Sequence, residues 1–204
     1  MQSASALRLH KVAEADFPTR YGAFRIFGFE GRYADGKEEA LALKMGELAG
    51  PPPLVRIHSQ CLTGDVFHSL RCDCGAQLEM ALEGVAAEGR GLIVYERQEG
   101  RGIGLLNKLR AYELQDDGAD TVEANEQLGF EPDLRDYELP AAILRYFGLS
   151  AVRLLSNNPA KVEAVERNGI RVTERVPCVV EVPDSTAAYL RTKKEKLGHL
   201  LEGV

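Results

Sequence analysis

The chain has no tryptophan, three methionines and four cysteines in 204 residues, and its 25 Lys and Arg are outnumbered by 31 Asp and Glu. Each shortage excludes something. Clustered cysteines in a chain without an export signal suggest metal binding before disulfides. A formal charge of −6 argues against a nucleic-acid partner, because general binding of that kind works through a basic surface. No stretch approaches the roughly eighteen consecutive apolar residues of a membrane span. The N-terminus, Met1 to His10, lacks the continuous apolar core of a signal peptide. The expectation is a cytoplasmic protein with no membrane association. With 45% hydrophobic residues, the chain can bury a sizeable core, and one domain over 1–204 is expected.

Scarcity makes placement informative. Three of the four cysteines, Cys61, Cys72 and Cys74, fall within fourteen residues. In an extended segment the thiols of Cys72 and Cys74 point to one side, and the intervening loop can bring Cys61 back to them. Three thiolates suit a soft or borderline cation, zinc first. Three protein ligands would leave one tetrahedral position open to water, the arrangement of a catalytic zinc. A closed structural zinc with a fourth ligand elsewhere, His68 being the weaker candidate, and ordinary reduced core cysteines are the alternatives. Cys178, far downstream, reads as a buried inert thiol.

Alternation of apolar residues predicts strands over 7–30, with Pro18 and Gly22 marking turns, and again over Leu54–His58 after the Gly50–Pro53 break. Apolar spacing predicts a helix from Gln77 to Glu88, capped by Gly89. A strand over 91–95 enters the glycine-rich turn Gly100-Arg101-Gly102-Ile103-Gly104, and a helix follows from about Leu105 to Asp117. The stretch 119–138 reads as irregular. A helix at about 140–147, a strand over 151–155, a helix opened by Asn158 and Pro159 and ended by Gly169, and a strand from Ile170 follow. The tail, 186–202, reads as a lysine-rich helix. The expected architecture is α/β: a layered mixed sheet flanked by helices, with an N-terminal β-rich segment.

The glycine-rich turn fits neither the dinucleotide fingerprint nor the P-loop. It is either a structural turn or an anion site at a helix N-terminus. Arg56, Arg71, Arg97, Arg101 and Lys161 all adjoin these motifs, and in an acidic protein that placement suggests a polyphosphate-sized ligand. The charged segment Asp133–Tyr137 reads as a loop carrying functional side chains or as a solvated loop. His58 is a ligand candidate or a pocket residue, and His10 and His199 carry no expected chemistry.

The runs Arg56–Asp65, Arg71–Gly75, Arg97–Leu105, Asn107–Tyr112, Asp120–Asn125, Arg175–Pro177 and Lys193–His199 together resemble GTP cyclohydrolase II, a family of riboflavin biosynthesis. The resemblance runs from about residue 8 to 201. It implies conversion of GTP to 2,5-diamino-6-ribosylamino-4(3H)-pyrimidinone 5′-phosphate, formate and pyrophosphate. It also implies one zinc per chain, magnesium with the substrate phosphates, and a homodimer. Carried over by position, Cys61, Cys72 and Cys74 are the zinc ligands. The GTP-contacting positions are Arg56, Ile57, His58, Ser59, Gln60, Gln77, Glu99, Gly100, Arg101, Thr121, Ser156 and Lys161. Asp133 matches a proton acceptor, Arg135 a nucleophile, and Tyr112 a tyrosine needed for activity. Gln60 stands where glutamate is frequent in the family and Ser156 where threonine is.

The chemistry agrees with the residue types. Opening guanine's imidazole ring needs hydroxide at C8, which zinc can supply near neutral pH, and loss of pyrophosphate needs positive charge around the phosphates. A guanidinium with a pKa above about 12 is a poor nucleophile, so Arg135 reads equally as an electrostatic stabiliser. The competing readings are an enzyme that stops at a formamide intermediate and a nucleotide-binding or structural zinc protein without turnover. A zinc nucleobase deaminase lacks support because its H-x-E and P-C-x-x-C signature is absent. At 204 residues a stand-alone enzyme is expected, without a fused synthase domain.

Overall fold

The computed structural model describes residues 7–34, 36–131, 133–180, 194, 198 and 200. Strands β1 (Arg8–Thr19), β2 (Gly22–Arg32) and β3 (Lys37–Met45) form an antiparallel meander, and β3 continues antiparallel onto β5 (Gly91–Glu96). From β5 the sheet turns parallel through β4 (Leu54–Ser59), β6 (Ala151–Leu155) and β7 (Arg171–Val176). The order is β1-β2-β3-β5-β4-β6-β7 in one seven-stranded sheet. The mixed sheet and its β-rich N-terminal part are as the sequence predicts.

Parallel strands are covered on both faces, and β4 and β5 obey that rule. On one face α2 (Cys74–Glu88) lays Ala81 and Val85 on Leu54, Ile93 and Leu155. On the other, α5 (Glu138–Tyr146) and α6 (Pro159–Arg167) bring Leu139, Ile143, Leu144 and Val165 onto Val55, Ile57, Leu92, Val94 and Leu154. Each such fully buried side chain contributes about 1.5–3 kcal/mol. Two short helices, α1 (Leu62–Asp65) and α4 (Thr121–Gln127), and the longer α3 (Leu105–Asp116) complete the helices used below. Among the described residues no helix is long and apolar enough to cross a membrane.

The local signals explain most boundaries. Gly89 ends α2 in the left-handed conformation at φ +65°. Asn158 caps α6 by accepting the Ala160 amide at 3.0 Å, with Pro159 in the first turn. Four expectations need correction. Pro18 does not turn the chain but sits inside β1 opposite Ala23; an edge strand tolerates a residue with no amide hydrogen. α2 begins at Cys74 rather than Gln77. β3 was not anticipated, because its alternation is carried by small alanines, Ala40 and Ala42, behind the charged Lys37-Glu38-Glu39. The stretch 119–138 holds α4, whose Asp120 and Glu123 form a reciprocal capping box. The lysine-rich helix expected at 186–202 falls almost wholly outside the described residues.

Candidate active site

Ligands of parallel α/β sheets bind beyond the carboxyl ends of the strands. Here β4 and β5 end side by side at Ser59 and Glu96 and β6 ends at Leu155, and a cleft opens there whose empty space, part of it open to solvent, is about 1060 Å³. Six cationic side chains line it (Arg56, Arg71, Arg101, Lys108, Arg135 and Lys161) against a single carboxylate, Glu99. The cleft is locally cationic in an acidic protein.

The two faces of β4 supply two halves. On the α2 side Arg56 donates to the Leu155 carbonyl at 2.9 Å and to Gln77 Oε1 at 2.6 Å, while Gln77 donates to Asp73 at 2.6 Å. His58 donates from Nε2 to Asp65 at 3.1 Å, and the same carboxylate accepts from the Cys61 amide at 3.0 Å and from the Tyr95 hydroxyl at 2.8 Å. Burial pushes the His58 imidazole down from its ordinary range, so the ring stays neutral. Asp65 thus ties β4, β5 and the start of α1 together.

Three thiols converge beside it. The sulfurs of Cys61, Cys72 and Cys74 lie within 4.8 Å of one another, and those of Cys61 and Cys72 are 3.7 Å apart. Two thiolates on one tetrahedral zinc, at Zn–S distances of about 2.3 Å, stand about 3.8 Å apart, so the Cys61–Cys72 pair fits such an ion and Cys74 is close enough to join it. Close backbone packing builds the cluster. A Cβ on Gly64 would meet Cys72 Sγ at 3.0 Å and Cys61 Sγ at 3.2 Å, and one on Gly75 would meet the Gly64 carbonyl at 2.4 Å. Hydrogen bonds from Cys72 and Cys74 hold the Cys61 thiol far below its ordinary range, and the Lys108 ammonium, 3.1 Å from its sulfur, reinforces them. The same pairing pushes Cys72 up to about 11. Lys108 also donates to Thr63 and Glu99, each at 2.9 Å. Tyr112 hydrogen-bonds Thr63 at 3.2 Å, and Arg71 stacks 4.8 Å from its ring.

The other half faces α6. Ser59 donates to the buried Glu96 at 2.6 Å, and Arg135 reaches Ser59 Oγ at 3.4 Å. Burial pushes the Glu96 carboxyl up, against the pull of Lys161 and of the Ser59 hydrogen bond. Lys161 donates to the Ile57 carbonyl at 2.8 Å; burial, with Arg56 and Arg135 nearby, pulls its ammonium down to about 7. Arg135 grips Asp133 with two bonds, Nε to Oδ1 at 2.8 Å and Nη2 to Oδ2 at 2.5 Å. Burial pushes the Asp133 carboxyl up, but Arg135 outweighs it and holds the group below its ordinary range. Arg101 stands in a left-handed conformation (φ +60°) after Gly100 (φ +62°), a strain of about 1–3 kcal/mol for a residue with a Cβ. Its two terminal nitrogens are buried and have no partner among the described residues. Such nitrogens point to an anion.

Of the eighteen residues that the family resemblance assigns to the site, sixteen line this cleft: Arg56, His58, Ser59, Gln60, Cys61, Cys72, Cys74, Gln77, Glu99, Gly100, Arg101, Tyr112, Thr121, Arg135, Ser156 and Lys161. Ile57 and Asp133 do not. The Ile57 side chain is fully buried in the core, and only its carbonyl meets the site, through Lys161. Asp133 is exposed and meets the site through its ion pair with Arg135. Arg97 turns away to pair with Glu39 at 2.7 Å, and His68 is outside the thiol cluster. Cys178 is fully buried in the α2-side core. Sequence reasoning gave no role to Asp65, Glu96, Gln98 or Lys108. A signal for Glu96 existed, since a carboxylate at the end of an otherwise apolar strand is costly without a purpose.

Fold and cleft together define an α/β protein whose site joins a three-thiol cluster that could hold a metal to a cation-lined pocket. Residues 10–177 match the sequence profile of GTP cyclohydrolase II. The chain is 53% identical over 196 residues to GTP cyclohydrolase-2 of Buchnera aphidicola, covering 96% of this chain and 99% of that one. It is 55% identical to GTP cyclohydrolase-2 of Yersinia pestis, with the same coverage, and 56% identical over 191 residues to that of Azotobacter vinelandii, covering 93% and 91%. The chain therefore belongs to the GTP cyclohydrolase II family. A solved structure of RibBX, a two-domain 3,4-dihydroxy-2-butanone 4-phosphate synthase from A. baumannii, is only distantly similar. It is 20% identical with a TM-score of 0.41, over 72% of this chain and 34% of that one.

Proposed function

We propose that the chain hydrolyses GTP to 2,5-diamino-6-ribosylamino-4(3H)-pyrimidinone 5′-phosphate, formate and pyrophosphate. The observation that carries this reading is a single cleft in which three convergent thiols face a pocket of cations. A nucleotide with its base at the thiols and its phosphates at the cations meets both.

Cys61, Cys72 and Cys74 would hold zinc, which when bound supplies a Lewis acid and a water made acidic near neutral pH. Beside them the Tyr112 hydroxyl keeps its proton, since burial pushes it up, and is available as a donor to the ring being opened. Arg56, Gln77, His58, Ser59, Gln60, Thr121 and Ser156 shape the cleft around base and ribose. Glu99 and Gly100 fix the turn that presents Arg101, whose terminal nitrogens, without a partner among the described residues, offer a bidentate grip on a phosphate.

Lys161 and Arg135 complete the phosphate side, with magnesium as the counter-ion the family resemblance implies. Burial pushes the Arg135 guanidinium down, but the Asp133 carboxylate more than reverses it and raises the group. A paired, protonated guanidinium acts as an electrostatic clamp on charge developing at the phosphorus rather than as a nucleophile. Arg135 keeps the Asp133 carboxylate ionised, and the family resemblance gives it the part of proton acceptor. Homodimer assembly and cytoplasmic location rest on family membership and sequence alone.

The test is to incubate the protein with GTP and magnesium, identify the nucleotide product by mass, assay formate and pyrophosphate, and measure bound zinc. Equal formate and pyrophosphate with one zinc per chain is the expected result. A retained formamide would make the protein a partial hydrolase, and bound GTP without consumption would make it a binder.

A further inference from the structure

We propose that Gln98 is a positioning residue for Arg135: its side-chain amide clamps the main chain of Asp136 and so holds the 133–137 loop over the cleft. This rests on the reading of Arg135 given above. The loop has no regular secondary structure, yet it carries Arg135, one of the cations that line the cleft. Something must fix it.

Gln98 does so with two bonds to one residue. Its Nε2 donates to the Asp136 carbonyl at 2.7 Å, and its Oε1 accepts from the Asp136 amide at 2.9 Å. The second donor position of Nε2 faces Glu96 Oε2 at 3.4 Å. That contact sets the amide's orientation, because turning it over would place the amide oxygen against a carboxylate and a carbonyl. Gln98 itself is anchored between β5, which ends at Glu96, and the Glu99–Gly102 turn. A second tie runs from the Leu134 amide to the Arg101 carbonyl at 3.0 Å. The loop is thus sewn on both sides of Arg135 to the segment that follows β5. Gln98 lines the cleft, but both ends of its amide are already engaged with the loop, so its action on substrate runs through Arg135.

The geometry gives a measurable signature. Misplacing a catalytic group by about 1 Å can cost on the order of 10²-fold in rate. Gln98→Met keeps the length and removes both bonds. Gln98→Glu keeps the shape, loses the donor and sets a carboxylate against Glu96. Both are expected to lower kcat for GTP by roughly 10- to 100-fold, with KM changed less than about threefold. Neither should lower it further when Arg135 is already alanine, because effects that act through one residue are not additive. Arg97→Ala, one residue away on an exposed side chain, should leave kcat unchanged.

Hydrogen exchange of the unliganded protein provides a readout that needs no turnover. The Asp136 amide is protected by Gln98 directly, so a peptide spanning 133–138 should exchange faster in Gln98→Met and not in Arg97→Ala. Faster exchange with a wild-type kcat would overturn the positioning role while leaving the clamp. Unchanged exchange, or equal kcat losses in the Arg135→Ala and wild-type backgrounds, would overturn the proposal itself. A wild-type protein that fails to consume GTP would refute the functional reading, and the exchange result would still decide the clamp.

Discussion

Gly64 offers the sharpest test of how the thiol cluster is built. It lies in α1, and its backbone is not in the left-handed region, so alanine is conformationally acceptable there. Helix propensity alone favours the change by up to about 1 kcal/mol. The added methyl, however, would stand 3.0 Å from Cys72 Sγ, 3.1 Å from Cys74 Cβ and 3.2 Å from Cys61 Sγ. Ordinary non-bonded contacts lie at about 3.5–4.0 Å, so the surrounding atoms must retreat by roughly half an ångström. Metal–ligand distances tolerate about 0.2 Å. The cluster can therefore keep its fold or its metal geometry, but not both.

Gly64→Ala is expected to weaken zinc binding by about 10- to 100-fold, the scale on which displaced outer-shell supports act. At a fixed zinc concentration well above the dissociation constant, that removes about 1.4–2.7 kcal/mol of metal-linked stabilisation. The zinc-free protein should unfold within about 1 kcal/mol of wild type. Competition with a chelator gives the affinity, and denaturant unfolding with and without zinc gives the two stabilities. Gly28→Ala is the control: nothing lies within 4 Å of its Cβ position. Wild-type zinc affinity in Gly64→Ala would refute the packing argument. Unfolding of the zinc-free variant would show that the glycine serves the fold instead.

Four further outcomes are expected. Cys72→Ser should lose zinc while Cys178→Ser, buried away from the cluster, should retain it, as metal analysis after dialysis will show. GTP affinity should fall as pH rises through about 7, because a Lys161 ammonium held at that value is present below it and lost above; Lys161→Met should flatten that part of a binding profile taken from pH 6 to 8. Arg101→Ala should raise the dissociation constant for GTP by about 1.5–3 kcal/mol, the range for a hydrogen bond to a charged group, with a much smaller effect on guanosine. Arg135→Ala should lose on the order of 10² or more in turnover, and Arg135→Lys should recover part of it, since lysine keeps the charge and loses the planar fork; wild-type turnover in Arg135→Ala would remove the residue from the mechanism.

How much of this was legible from the chain depends on sequence distance. The thiol cluster was, because its three members are near neighbours in sequence and the intervening loop needs only to fold back. The Gly89 and Asn158 caps were legible for the same reason. What was hidden is what the topology joins. Lys108 meets Cys61 across 47 residues and Gln98 meets Asp136 across 38, and no local pattern announces either pair. α4 is a different kind of miss: Asp120 and Glu123 spell a capping box, and the charge of the surrounding stretch masked it. β3 was masked by alanines, which mark a buried face as firmly as leucine does but carry little hydropathic contrast.

The most telling signal was Leu54–Ser59. Alternation there suggests a half-wet strand, yet Arg56 and His58 are buried along with the apolar residues between them. A strand enclosed on both faces is expected to read as a continuous apolar run, and each polar side chain in it carries a desolvation cost of several kcal/mol unless it is satisfied. Arg56 recovers that cost through Gln77 and the Leu155 carbonyl, and His58 through Asp65. Both still leave one nitrogen without a partner among the described residues, as Arg101 leaves two. A protein selected for stability alone would fill these positions with valine and leucine. The unmet hydrogen-bonding capacity is concentrated at the carboxyl ends of the parallel strands, where topology opens a cleft. It marks the site as one completed by its ligand.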